Sequence, residues 1–221
     1  MTASLYILRR KADRIADLIA LPARQFVPPS GQSFTTMSAI KKSHHNKWVP
    51  FKNDDRFWNI WTEPKFAIGQ RAILMRTPQG NILWDCITLL DEPTKEWINR
   101  LGGLIAIVIS HPHYYTSHLE WADVFEVPVY LAWEDKVWLN RLDRMGSART
   151  FVESSMEEIE IHGKKTGVHI LKVGGHFPGS LVCLWEGRLL IADSLVTVPS
   201  GLYHENRPKG TTSYAFMWSI P

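Results

Sequence analysis

The sequence predicts an α+β protein in which helices pack on two β-sheets. Three observations carry this. A β-α-β-α succession in the middle of the chain lies between two β-rich segments. The run "LIAIVIS" (104–110) is continuously apolar and β-branched, as expected of a strand buried on both faces. From Met156 onward, four short alternating segments are separated by glycine-containing turns. Two separate β-rich segments point to two sheets rather than one.

The elements follow in order. Residues 1–20 read as a short amphipathic basic helix, and residues 21–55 as an irregular arm with one helical turn, rich in Pro, Ser, Gly, Lys and His. Residues 1–55 are therefore set apart from a domain at 56–221. His44 and His45 sit in the arm, and adjacent side chains on an extended chain point opposite ways, so they read as solvated. "RFWNIWTE", "FAIGQRAILMRT" and "NILWDCITLL" are strand-like, the last two joined by the turn "PQG". "EPTKEWINRLGG" has a Pro start, a helical pattern and a Gly stop. "SHLEWADVF" opens with Ser117 and Glu120 at capping-box spacing, which predicts a helix start. "VPVYLA" predicts a strand and "WEDKVWLNRL" a helix with Trp133, Val137 and Trp138 facing inward. Four strands come last, in "EEIEIHG", "GVHILKVGG", "SLVCLWEG" and "RLLIADSL".

Composition narrows the function classes. The chain has 221 residues, 45% hydrophobic and 21% charged, which suits a globular protein. A net charge of +3 without a Lys/Arg block gives no phosphate-tracking stripe, so nucleic acid is not an expected partner. No apolar stretch is long enough for a membrane span, so no membrane partner is expected either. Cys86 and Cys183 stand alone in apolar strands. They read as buried, inert thiols, give no disulfide framework, and fit a reducing, cytoplasmic compartment. A mitochondrial presequence is the alternative, and Asp13 and Asp17 count against it. The apolar ending "SYAFMWSIP" reads as a chain interrupted before its last layer.

The chemistry concentrates in "VISHPHYYTSHLEWADVF". A strand ending in His-x-His would put His111 and His113 on one face, where two imidazoles suit one ion. "VGGHFPGSLV" places His176 on a glycine-rich turn, and "LLIADSL" ends an apolar strand with Asp193. A bare carboxylate there is costly unless it caps or binds something. Three His and one Asp at strand ends make a divalent-metal shell.

"SHPHYYTSH", "GGHFPGS" and "IADS", in this order and spacing, resemble the metallo-β-lactamase superfamily. Its first motif is His-x-His-x-Asp-His, its second a Gly-His-x-Pro-Gly-Ser turn, and its third a strand-end Asp. The similarity runs from about residue 60 to 200. It implies a four-layer αββα sandwich with metal at the edge where strands end. His111, His113, His176 and Asp193 are the implied ligands, and Asp85, in "NILWDC", is implied to support them. One zinc ion is the implied cofactor, with iron or manganese as alternatives, and a small molecule the implied substrate. "ARQFVPPSGQSFTT" further resembles a mainly fungal subgroup of small proteins of this superfamily.

The departures matter as much. The family's second-metal Asp falls at Tyr115 and its next His at Thr116, neither a good zinc ligand. His118 lies two residues late, and reads as a substitute ligand or a side chain at the pocket mouth. The only later histidine is His204, in a polar loop, so the resemblance implies that the final strand and helix are missing. What remains is a mononuclear site lacking the usual Asp base, with Asp193, Tyr115 and His118 as candidate catalytic residues. Three functions follow: a hydrolase of an ester, thioester or lactone bond; an inactive relative that binds a small molecule or protein in the old pocket; or a truncated product of marginal stability. Nothing in the sequence sets the oligomeric state.

Overall fold

The computed structural model describes residues 4–6, 14–18, 34–143, 146–197 and 214–216. Strands β1 (Ser4–Tyr6), β2 (Arg14–Leu18) and β3 (Phe34–Thr36) form a small antiparallel sheet. Two of them stand where the sequence predicts an N-terminal helix. An isolated helix of that length is marginal, and strand pairing overrides its propensity. Helix α1 (Met37–Ser43) is the one helical piece among the described residues of the arm, capped by Thr36, whose Oγ1 accepts from Ala39 N at 3.2 Å.

The main sheet has seven strands: β4 (His45–Phe51), β5 (Asp54–Glu63), β6 (Arg71–Thr77), β7 (Gly80–Trp84), β8 (Leu104–Val108), β9 (Val129–Ala132) and β10 (Arg149–Val152). Their spatial order follows the chain, antiparallel from β4 to β7 and parallel from β7 to β10. The sheet thus begins inside the segment read as an irregular arm, because β4 pairs along the whole of β5. The parallel connections carry α2 (Glu92–Arg100) and α3 (His118–Phe125). Asp91 caps α2, its Oδ1 accepting from Thr94 N at 3.1 Å.

The second sheet is antiparallel, with β11 (Met156–Ile161), β12 (Lys164–Lys172), β13 (Leu181–Trp185) and β14 (Arg188–Leu190). These are the four strands expected from the glycine-punctuated stretch. Strands β15 (Leu195–Thr197) and β16 (Tyr214–Phe216) form a separate pair.

Period-two alternation explains the layers. On one face of the main sheet Ile73, Met75, Ile82, Trp84, Ala106, Val108 and Tyr130 pack against Ile159, Val168, Ile170, Leu181 and Cys183 of the second sheet. On the other face Leu74, Leu83, Ile107 and Leu131 meet Trp97 and Ile98 of α2 and Trp121 and Ala122 of α3. Both faces of the sheet are covered at its centre, which is why β8 reads as an unbroken apolar run. The α+β class and the face-to-face sheets are as predicted, with helix, sheet and sheet as described layers. Among the described residues no helix is long and apolar enough to cross a membrane.

Two local expectations differ. "WEDKVWLNRL" is only a 3-10 turn, Glu134–Trp138, and Val137 is 84% exposed and Trp133 46% exposed. Lys136 Nζ lies 3.4 Å from the Trp133 ring centroid, so the indole is covered by a cation rather than by the core. Ser117 does not form the capping box. Its Oγ donates instead to the carbonyls of Ile87 and Thr88, at 3.2 and 2.7 Å, and Glu120 pairs with Arg141 at 3.1 Å.

Candidate metal centre

The ends of β7, β8, β9, β13 and β14 converge on one edge of the sandwich. Backbone bonds carry the ladder past β8: Asp85 N donates to Val108 O at 2.7 Å and Ile109 N to Tyr130 O at 3.0 Å. Leu181 N donates to Ser110 O at 2.8 Å and ties the second sheet to the same edge. His111 follows immediately. Residues Pro112–Tyr114 then form a 3-10 turn. The two histidines are therefore not alternate positions of a strand, as the His-x-His spacing suggests. The tight turn brings them together, and His111 offers Nε2 while His113 offers Nδ1.

His111, His113, His176 and Asp193 each present one ligand atom, and these atoms all lie within 4.8 Å of one another. His111 Nε2 is 3.1 Å from His113 Nδ1, and His176 Nε2 is 3.3 Å from the same atom. Asp193 Oδ2 stands 3.4 Å from His111 Nε2 and 3.9 Å from His113 Nδ1 and from His176 Nε2. The three histidines are each 2% exposed, so the group is closed to bulk water on the protein side. Ala192, at φ 43°, takes the left-handed conformation just before Asp193. A residue with a Cβ pays for that geometry, and here it sits where Asp193 turns toward the imidazoles.

The ring orientations are set from behind. Asp85 ends β7 and is 2% exposed. Its Oδ1 accepts from Ser110 N at 2.8 Å and from Ser110 Oγ at 2.7 Å. The Ser110 hydroxyl proton is committed to Asp85, so Ser110 Oγ accepts from His111 Nδ1–H at 2.8 Å. That leaves Nε2 of His111 as a bare lone pair facing the other ligands. Phe177 stacks on His111, centroids 5.5 Å apart at 29°, and meets His113 edge-on at 4.9 Å. Gln70 Nε2 donates to the His113 carbonyl.

The protonation states fit a cation. Burial lowers His113 to about 4, so the imidazole is neutral near pH 7. Burial raises Asp193, but the His111 and His113 imidazoles beside it outweigh that and hold the carboxyl well below the usual range. Burial raises Asp85 to about 8 against the two bonds from Ser110. The His111 lone pair and the Asp193 carboxylate are thus two acceptors facing each other at 3.4 Å. Two acceptors repel unless a proton or a cation stands between them. His113 Nε2 is buried with no hydrogen-bond partner among the described residues, as when the ring proton sits there and Nδ1 is the ligand. The donor set fits one divalent ion of the zinc, iron or manganese kind.

The other two predicted residues lie apart from this group. His118 is 1% exposed; its Nδ1–H donates to the Tyr115 carbonyl and its Nε2 accepts from Arg149 Nε at 2.9 Å. Burial lowers it to about 3, so it is neutral, and both ring nitrogens are spent on structure. The Tyr115 hydroxyl donates to the Asp135 carbonyl at 3.4 Å, and burial raises it well above its ordinary value. Neither geometry gives a general base at the metal group. The cause is the 3-10 turn: it carries residues 115–118, where α3 begins, into the helix-side core. Thr116 Oγ1 likewise bonds Thr88 Oγ1 at 3.3 Å rather than facing the imidazoles.

Ser110, Gln70 and Asp135 were not legible as site residues. Asp135 is fully buried, its Oδ1 accepts from Gly179 N at 2.9 Å, and this pins the turn that carries His176. The available signal was a carboxylate shortly past a buried strand, the same signal that flagged Asp193.

No family model matches the chain. It is 38% identical over 186 residues to the uncharacterized protein YmaE of Bacillus subtilis (strain 168), covering 82% of this chain and 65% of that protein. The chain therefore spans just under two thirds of the length of the curated relative it matches. Among solved structures it is similar to the DIM-1 metallo-β-lactamase, at 12% identity and a TM-score of 0.48 over 64% of this chain and 65% of that one. A metallo-β-lactamase from Hirschia baltica gives 15% and 0.45 over 64% and 67%. A flavo di-iron protein from Thermotoga maritima, solved as a point mutant, gives 15% and 0.45 over 71% and 45%.

Proposed function

We propose that this chain is a metal-dependent hydrolase-like protein of the metallo-β-lactamase superfamily, with a mononuclear centre that cleaves an ester, thioester or lactone bond. The carrying observation is the convergence of His111, His113, His176 and Asp193 within 4.8 Å, at the strand-end edge of two packed sheets. The motif resemblance and the Asp85–Ser110–His111 relay support the same reading. A divalent ion, zinc by preference, would supply Lewis acidity toward a carbonyl and an acidified water. The protein's own part is to keep His113 neutral, to fix the His111 tautomer, and to hold Asp193 ionised. Asp193 is the one member of the group that is part-exposed, with a 32% exposed side chain, and so is the carboxylate that faces the neighbouring cavity. A cytoplasmic location accords with two buried free cysteines.

The test is hydrolysis of a panel of 4-nitrophenyl esters, acyl thioesters and lactones by protein loaded in turn with zinc, iron and manganese. The expected result is turnover that a chelator removes and that His111→Ala lacks. A fully loaded protein without turnover on any class contradicts the hydrolase reading. One observation favours a second reading, an inactive relative that binds a small molecule in the same cavity. Tyr115 and Thr116, at the motif positions for a second ion, are buried in the core and make structural hydrogen bonds. That reading expects ligand binding unchanged by His111→Ala.

A further inference from the structure

A cavity of about 560 Å³ opens beside the metal group, with Asp193 on its wall. This is the size of a small-molecule site. Ile73, Trp84 and Leu190 give it an apolar lining, and Tyr114 and Arg71 complete it toward solvent. Arg71 is out of pattern. It opens β6 on the face that carries Ile73 and Met75 into the core between the sheets. An apolar residue is the default on that face. Here the side chain is an exposed arginine at the rim of the cavity, and among the described residues its guanidinium has no carboxylate partner.

Its position relative to the metal group is defined through Tyr114. The Tyr114 ring lies 5.3 Å from the His111 ring, edge to face, and its hydroxyl faces the Arg71 main chain. One tyrosine side chain thus separates the two ends of the cavity. Of the two carboxylates on the cavity wall, Asp85 is turned to Ser110 and Asp193 to the imidazoles, so neither neutralises Arg71. Asp193 is the member of the metal group that reaches the cavity; the walls are apolar, and the rim carries the Arg71 guanidinium.

We propose that the cavity takes an apolar ligand bearing a carboxylate, held by Arg71, with the bond to be cleaved lying at Asp193, where the cavity meets the metal group. The substrate class is then an ester, thioester or lactone whose body is apolar and whose far end is a carboxylate. The position of the scissile bond rests on the hydrolase reading; the carboxylate site itself does not. A guanidinium matches a carboxylate through two parallel N–H bonds, which a neutral amide cannot reproduce.

The test uses 4-phenylbutyrate and its neutral counterpart 4-phenylbutanamide, titrated calorimetrically into chelator-treated protein so that no ion can hold the carboxylate. The expected result is a preference for the carboxylate on the order of tenfold. Arg71→Gln is expected to erase the preference and Arg71→Lys to keep part of it, since a point charge remains without the fork. Equal affinity for the two probes in the native protein overturns the proposal, as does binding of neither, or a preference that survives in Arg71→Gln. Native protein alone therefore decides the case if the Gln variant does not fold. Failure of the hydrolase reading has a different signature: no metal and no turnover, with the carboxylate preference intact.

Discussion

Gly179→Ala is expected to destabilise the protein by about 3 kcal/mol, through overpacking and loss of a buried hydrogen bond. A Cβ at position 179 would stand 2.5 Å from the Ala132 Cβ and 2.9 Å from Cγ and Oδ2 of Asp135. Ala132 belongs to β9 and is 2% exposed, so it has no room to retreat. Asp135 is held by the very backbone N–H that the substitution would displace, at 2.9 Å. Its Oδ2 is buried without a partner among the described residues, and burial raises the carboxyl to about 6, so the pocket is already costly. The turn must shift, and His176 lies three residues upstream on it. Thermal unfolding of the metal-free protein should show a fall on the order of 6–12 °C for a chain of this size. A fall within experimental error would mean that the turn yields freely and that Asp135 does not brace it.

Asp85→Ala is expected to weaken metal binding by about 10- to 100-fold while leaving all four ligands in place. With the carboxylate gone, the Ser110 hydroxyl loses the acceptor at 2.7 Å and can donate to His111 Nδ1 instead. The imidazole then carries its proton on Nε2, the atom that should be a lone pair. Asp85→Asn separates this from a folding effect. The amide oxygen can still accept from Ser110, and Asn suits the left-handed backbone at φ 62° better than Ala does. It also mimics a carboxyl that burial raises to about 8. Competition for zinc against a chromophoric chelator should place Asn near the native protein and Ala well below it. Equal affinity in all three would mean that the ligand tautomer is not set from behind.

How far the sequence was legible depends on what each signal measures. Strands β6 to β9 were readable because both faces of their sheet are covered, so their central positions are apolar whichever way they point. Helix α2 was readable because its start and stop are written locally, in Pro93 and Gly102. The members of the candidate group were readable because imidazoles at strand ends have few other uses. Their geometry was not, since His-x-His reads the same on a strand and on a 3-10 turn. That ambiguity also put Tyr115 and His118 at the site instead of in the helix-side core. Ser117 and Glu120 have the spacing of a capping box, but a buried loop carbonyl competes for the hydroxyl, and the competition is tertiary. Arg71 was invisible for the same reason: only the packed sheets show that its face belongs to the core.

The central claim is one metal ion held by His111, His113, His176 and Asp193. Elemental analysis of protein purified without a histidine tag tests it most directly, beside His111→Ala and His176→Ala. The predicted result is about one zinc, iron or manganese ion per chain in the native protein and none in either variant. A native protein that stays metal-free when offered all three ions, or that keeps its metal in both variants, would contradict it.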